Sequence, residues 1–291
     1  MQCSNVDSVK GSAVDELKTG DVIEDGSASA TVQPPGETVT ANVLLVNGSE
    51  TLTVGTEEDG DVFVEDCGPD EANTAIPSTL NARRKGPFAT ISSPGECTDT
   101  AWNIAGYRWY WTYGWYFKED TTPAGLSVTN VTNALVDGTQ SMTAVRNTCG
   151  MIDNVPATQR YDGNTTTWAN INSSGCLATD WVSETDFAGG PAGVLAETCT
   201  WQNEPGVAGQ SDARFNDSLF DWMPDGSGTC GGRYVIRAVQ AHERGHTFGV
   251  EHVAESTHGN LTMSEQIEPC SDQEFWLGRG DVLGMRARYP F

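Results

Sequence analysis

Three histidines and one glutamate stand at a spacing that can hold a metal ion and use it. They lie in the string His242-Glu243-Arg244-Gly245-His246-Thr247-Phe248-Gly249-Val250-Glu251-His252, which takes up three of the chain's four histidines. On a helix of 3.6 residues per turn, positions 242 and 246 project from one face about one turn apart, so two imidazole nitrogens can meet one ion. Glycine tolerates positive φ, and Gly249 therefore lets the chain leave the helix sharply and return His252 as a third ligand. Three protein ligands leave a fourth position open, the arrangement of a catalytic zinc; a structural zinc closes its shell with four protein ligands. Glu243, beside that position and not itself a ligand, is the natural general base. His258 falls in the polar run Ser256-Thr257-His258-Gly259-Asn260 and reads as a surface histidine.

The elements that must position this string are partly legible. From about residue 28 to 66 short β-type runs (30–32, 38–46, 51–54 and 62–64) are separated by Pro34-Pro35-Gly36, Asn47-Gly48 and Asp59-Gly60. Residues 68–96 have the Pro, Gly, Ser and Thr content of a linker and carry the basic triplet Arg83-Arg84-Lys85, which suits either a processing site or an ordinary solvated patch. The alternation of Tyr107, Trp109, Trp111, Tyr113, Trp115 and Phe117 predicts a strand, its aromatic face serving a helix-covered core in preference to a sugar-stacking platform. After Pro123 the stretch to Arg146 reads as a helix, with apolar positions at Leu126, Val131, Ala134, Leu135 and Met142. Residues Val194–Thr200 fit the same domain, and no internal repeat is visible.

At the scale of the chain, 291 residues suffice for one large or two ordinary domains with a sizeable core. No apolar run approaches the roughly 18 to 20 residues that span a bilayer. The polar start Met1-Gln2-Cys3-Ser4-Asn5 lacks the basic and apolar regions of a signal peptide, so an exported protein would be a processed form. Export is expected all the same, because eight cysteines are dispersed without a C-x-x-C pair, which reads as a disulfide framework of up to four bridges. A formal charge of −24 argues against nucleic acid or an anionic membrane as partner. Residues 1–75 hold sixteen Asp and Glu against Lys10 and Lys18. That acidic segment could shield a site, bind calcium or simply stay solvated. Six N-x-[ST] sequons would matter only in a host that glycosylates.

With its motif complete through His252, the chain from about residue 100 onward resembles the metzincin peptidases, and within them the matrixins and their bacterial relatives. Leu261-Thr262-Met263-Ser264 is similar to the Met-turn beneath the zinc of that clan. Ser211-Asp212-Ala213-Arg214-Phe215-Asn216, with Trp222, is similar to the strand that forms the upper rim of the matrixin cleft, and Leu277–Tyr289 resembles the closing helix, whose aspartate, here Asp281, anchors the Met-turn. The departures point to an unusual or bacterial branch: Val253 follows His252, no tyrosine follows Met263 at ligand spacing, the Pro-x-Tyr specificity wall is missing, and too few histidines remain for a second zinc. Cys67-Gly68-Pro69-Asp70 is similar to the matrixin cysteine switch without its preceding arginine, and a structural disulfide is the preferred reading of Cys67.

The resemblance implies an α+β fold for residues 97–291: a twisted mixed sheet with two long helices and a C-terminal helix. A linker at 68–96 and an acidic β-rich accessory domain or pro-segment at 1–67 would precede it. It implies zinc held by His242, His246 and His252, supported by Gly249, Met263 and Asp281. Glu243 would activate the attacking water, and Phe215 and Asn216 would line a rim that aligns an extended polypeptide. The N-terminal segment could act as an inhibitor in cis. The rival readings are a zinc-containing protein that binds polysaccharide or a surface with little peptidase activity, and a calcium-binding surface protein, although no D-x-D-x-D-G loop is present.

Overall fold

Alternation along Thr38–Leu45 decides how the N-terminal strands sit. Val39, Ala41 and Val43 are buried in an apolar core, while Thr38 and Thr40 look the other way. The computed structural model describes residues 4–5, 8–9, 12–13, 17–66 and 94–290. All but the last three residues of the expected linker, the basic triplet, Cys3, Cys67 and the switch-like sequence lie outside them.

The longer strands are β1 (Val22–Asp25), β2 (Ala28–Thr31), β3 (Thr38–Leu45), β4 (Gly48–Thr56), β5 (Val62–Asp66), β6 (Tyr113–Phe117), β7 (Gln159–Asn164), β8 (Glu184–Ala188), β9 (Val194–Glu204) and β10 (Val207–Asn216). One mixed sheet runs in the order Ser4–Asn5, β5, β4, β3, β9, β10, β8, β6, β7. From β10 to β7 every pairing is parallel, and from β10 through β9 and β3 to β5 every pairing is antiparallel. The stretch expected as a separate β-rich region thus shares a sheet with residues 97–291, since β3 pairs with β9 from Leu45↔Val194 to Thr38↔Gln202. A smaller sheet joins β1 and β2 to Ile171–Asn172 and Gly175–Cys176.

Among the described residues, two large apolar cores stand beside a small cluster of Met223, Val235, Ala238 and Phe275. One lies between β1, β2 and the inner face of β3 and β4, and takes in Ile171, Cys176, Cys199 and Trp201 from the later half of the chain. The other lies between the parallel strands and the helices α1 (Val128–Thr143) and α2 (Ile236–Thr247). Helix α1 starts where Ser127 Oγ accepts a hydrogen bond from the Asn130 amide. It buries the predicted Val131, Ala134, Leu135 and Met142; Leu126 precedes it and is only partly buried. Its Gly138 lets α2 approach closely, because a Cβ there would lie 2.6 Å from the Arg237 carbonyl oxygen. Helix α3 (Arg279–Arg288) closes the chain.

The aromatic run forms a strand only over Tyr113–Phe117, where Tyr113, Trp115 and Phe117 are buried. Residues 107–112 form no continuous strand: Arg108 makes one parallel bridge to Val207 on β10, while Tyr107 Oη and Trp109 Nε1 donate to the carbonyls of His246 and Thr247, at 2.9 and 2.8 Å. Those are carbonyls of the last turn of α2, which has no intrahelical partners for them. Trp111 is left half exposed. Disulfides join Cys97 to Cys149, Cys176 to Cys199 and Cys230 to Cys270. Among the described residues no helix is long and apolar enough to cross a membrane.

Candidate metal centre

Helix α2 presents His242 and His246 from one face. Immediately after it Gly249 takes φ +75°, where a Cβ would lie 2.5 Å from the Tyr107 carbonyl oxygen. The chain turns there through Val250–Glu251 and brings in His252. The three Nε2 atoms converge, at 3.2 Å between His242 and His246 and 3.0 Å from each of these to His252. Tetrahedral ligands at 2.0–2.1 Å from one ion stand about 3.3 Å apart, so the observed triangle is nearly that of a bound ion.

The tautomers point the same way. His242 Nδ1 lies 2.8 Å from the Thr262 carbonyl and His246 Nδ1 lies 3.1 Å from that of Val250. A carbonyl only accepts, so Nδ1 carries the proton in both rings and Nε2 is left with its lone pair. All three imidazoles are buried, which pushes His242 down to about 4 and His246 and His252 well below their ordinary value. Neutral rings with lone pairs facing one another repel unless a cation stands between them. The three histidines can hold a metal ion. Among the described residues, the other two compact groups of possible ligands, around Cys97–Cys149 and Cys176–Cys199, contain sulfurs already spent in disulfides.

Support beneath the centre comes from residues 261–264 and α3. Asp281 accepts hydrogen bonds from the amides of Thr262, Met263 and Gly278 at 2.9, 3.1 and 2.8 Å. The Thr262 carbonyl so held is the one that orients His242. Met263 is buried against Gly245, whose missing side chain makes room for the Met263 sulfur. Burial raises the Asp281 carboxyl to about 6, partly offset by these hydrogen bonds.

Glu243, fully buried, accepts a 2.6 Å hydrogen bond from Thr198 Oγ1 on β9, and its Oε1 has no partner. Burial raises this carboxyl to about 8, while the Thr198 hydrogen bond and the Arg244 charge act against it. Arg244 is itself buried, donates to Thr185 and Thr247, and lies over the rings of Tyr113 and Trp115.

The expected rim requires correction. Phe215 and Asn216 lie on β10, which is flanked on both sides by β8 and β9, and both are buried. An inner strand offers no free main-chain groups to a peptide. The strand against Glu243 is β9, and its outer edge is already hydrogen-bonded to β3. His258 is half-buried, not free on the surface: its Nδ1 lies 2.9 Å from the carboxylate of buried Asp99. Thr198, Arg244, Tyr107 and Glu251 belong to the centre's surroundings without any spacing in the sequence that marks them.

Compared with known proteins, the chain matches no protein-family model and no curated protein.

Proposed function

We propose that the chain is a zinc-dependent endopeptidase of metzincin type, matrixin-like in its motif and acting on polypeptides outside the cell. What carries the reading is the convergence of three buried imidazole Nε2 atoms, two of them from one face of a helix on which the residue after His242 is a buried glutamate with one oxygen unpartnered among the described residues. Three imidazoles with no cysteine suit zinc in a site that keeps a position open. Zinc bound there would acidify a water molecule and polarise the scissile carbonyl. Glu243 would take the proton from water at its free Oε1 and return it to the leaving amine, with Thr198 fixing the other carboxylate oxygen. The disulfides fit an oxidising compartment.

A second reading has its own observation. None of the three histidines nor Glu243 is more than 1 % exposed, as in a closed metal centre of a protein that binds a polysaccharide or a surface without hydrolysing peptides. One experiment separates the two. The purified chain should contain about one zinc and digest casein or gelatin until a chelator is added, and Glu243→Ala should keep the zinc while losing at least about a hundredfold in rate. A zinc-loaded wild type that leaves every protein substrate intact overturns the peptidase reading.

A further inference from the structure

The polar face of β3, β4 and β5 looks across a cavity of about 1160 Å³ toward residues 103–107, residues 202–206 and Glu251. Its walls bear the carboxylates of Glu37, Glu65, Glu204, Glu251 and the turn Glu57-Glu58-Asp59, and among the described residues no lysine or arginine. Among the described residues, two of these carboxylates have a buried oxygen without a hydrogen-bond partner. Glu251 is 7 % exposed and its Oε2 has no hydrogen-bond partner; the nearest cationic candidate, His246 Nδ1 at 3.7 Å, gives its proton to the Val250 carbonyl. Glu37 Oε2 is also buried without a partner. A buried carboxylate without a counter-charge is costly, and so many around one concavity set up a field that gathers cations.

A single metal ion does not account for the arrangement. Among the described residues none of these carboxylates belongs to a group of three or more whose ligand atoms lie within 4.8 Å of one another. The charges are spread over a space larger than most small-molecule pockets, beside the threonine hydroxyls of Thr38, Thr40 and Thr53, which suits an extended cationic ligand. We propose that the cavity binds a basic stretch of polypeptide, Glu251 receiving a lysine or arginine side chain and the outer carboxylates holding its basic neighbours. Glu251 Oε2 lies 3.7 Å from His246 Nδ1, on the side of that ring turned away from the converging Nε2 atoms, so the bound basic residue is held behind a ligand ring and away from the open metal position. The inference rests on the peptidase reading and deepens it by making that polypeptide a substrate anchored away from its scissile bond.

Fluorescence polarisation of labelled octapeptides with a central arginine, or with the neutral near-isostere citrulline, tests it on the full chain carrying Glu243→Ala to stop turnover. The arginine peptide should bind at least about tenfold tighter at low salt, and added salt should erase the difference. Glu251→Gln, with its zinc content checked, and the more remote pair Glu37→Gln and Glu65→Gln should each remove most of it. Equal binding of the two peptides overturns the site, whatever the protein hydrolyses. A clear arginine preference in a wild type that cleaves nothing supports the site and overturns the peptidase reading instead.

Discussion

Asp281 and Met263 act on the metal centre through geometry. The carboxylate holds two amides of the 261–264 turn, and that turn holds His242 by its Thr262 carbonyl. Stripping a buried donor of its acceptor costs about 1 to 3 kcal/mol. Asp281→Ala should therefore lower the melting temperature by about 2 to 12 °C and weaken zinc binding along with it. Met263→Leu conserves volume and should cost less than about 1.5 kcal/mol, leaving metal affinity nearly intact. Calorimetry and zinc titration of both variants decide this; an Asp281→Ala protein as stable and metal-retentive as the parent refutes the coupling. The histidines were legible in the sequence because helix geometry converts their spacing directly into a shared face. Thr198 was not, since its partner Glu243 is 45 residues away and nothing local distinguishes it from the other threonines.

Helix α2 works because its C-terminal end is pinned. Tyr107 and Trp109 bond its last carbonyls, and Gly249 turns the chain where the Tyr107 carbonyl leaves no room for a Cβ. Gly249→Ala would meet both a positive φ, which costs about 1 kcal/mol or more, and that overlap. It should lose zinc affinity at least about tenfold while α2 remains helical by circular dichroism, and unchanged zinc affinity would remove Gly249 from the account. The aromatic alternation from Tyr107 overran the real strand because period two describes side-chain facing, whereas the backbone over 107–112 keeps only the single bridge of Arg108 to Val207 at the start of β10. Helix α1 and strands β3 to β5 were legible because their apolar periods and turn residues are local. That β3 pairs with β9 was not, because nothing in either strand's pattern names its distant partner. The placement of Phe215 failed for a related reason, since an inner strand and a rim strand carry similar sequences until the neighbours are known.

Over the whole molecule, acid is built into the interior as well as the surface. Burial raises Glu197 to about 8 from 4.5 and Asp212 to about 7 from 3.8. An acid with a raised folded-state value holds its proton more tightly in the fold, so the stability it contributes is full below the unfolded value and lost as pH rises through the folded one. The buried imidazoles of the metal centre act in the opposite sense below their unfolded value of 6.5, so the chain freed of metal by a chelator should lose stability as pH rises from 6.5 to 8, a trend that the formal charge of −24 reinforces. A melting temperature that climbs from pH 6.5 to pH 8 would contradict it. Cutting at Arg83-Arg84-Lys85 should not free a compact fragment under native conditions, because β2, β3 and β4 share their core with Trp201 and the Cys176–Cys199 bridge; size-exclusion chromatography of the nicked protein reads this directly. The long reach from β3 to β9 also governs how the protein comes to be made. Ala41 waits for Cys199, about 160 residues later on the ribosome. Until then the outer edge of β3 is an open template for other chains, and the slow closure of so distant a pair makes the nascent protein dependent on whatever shields that edge during synthesis.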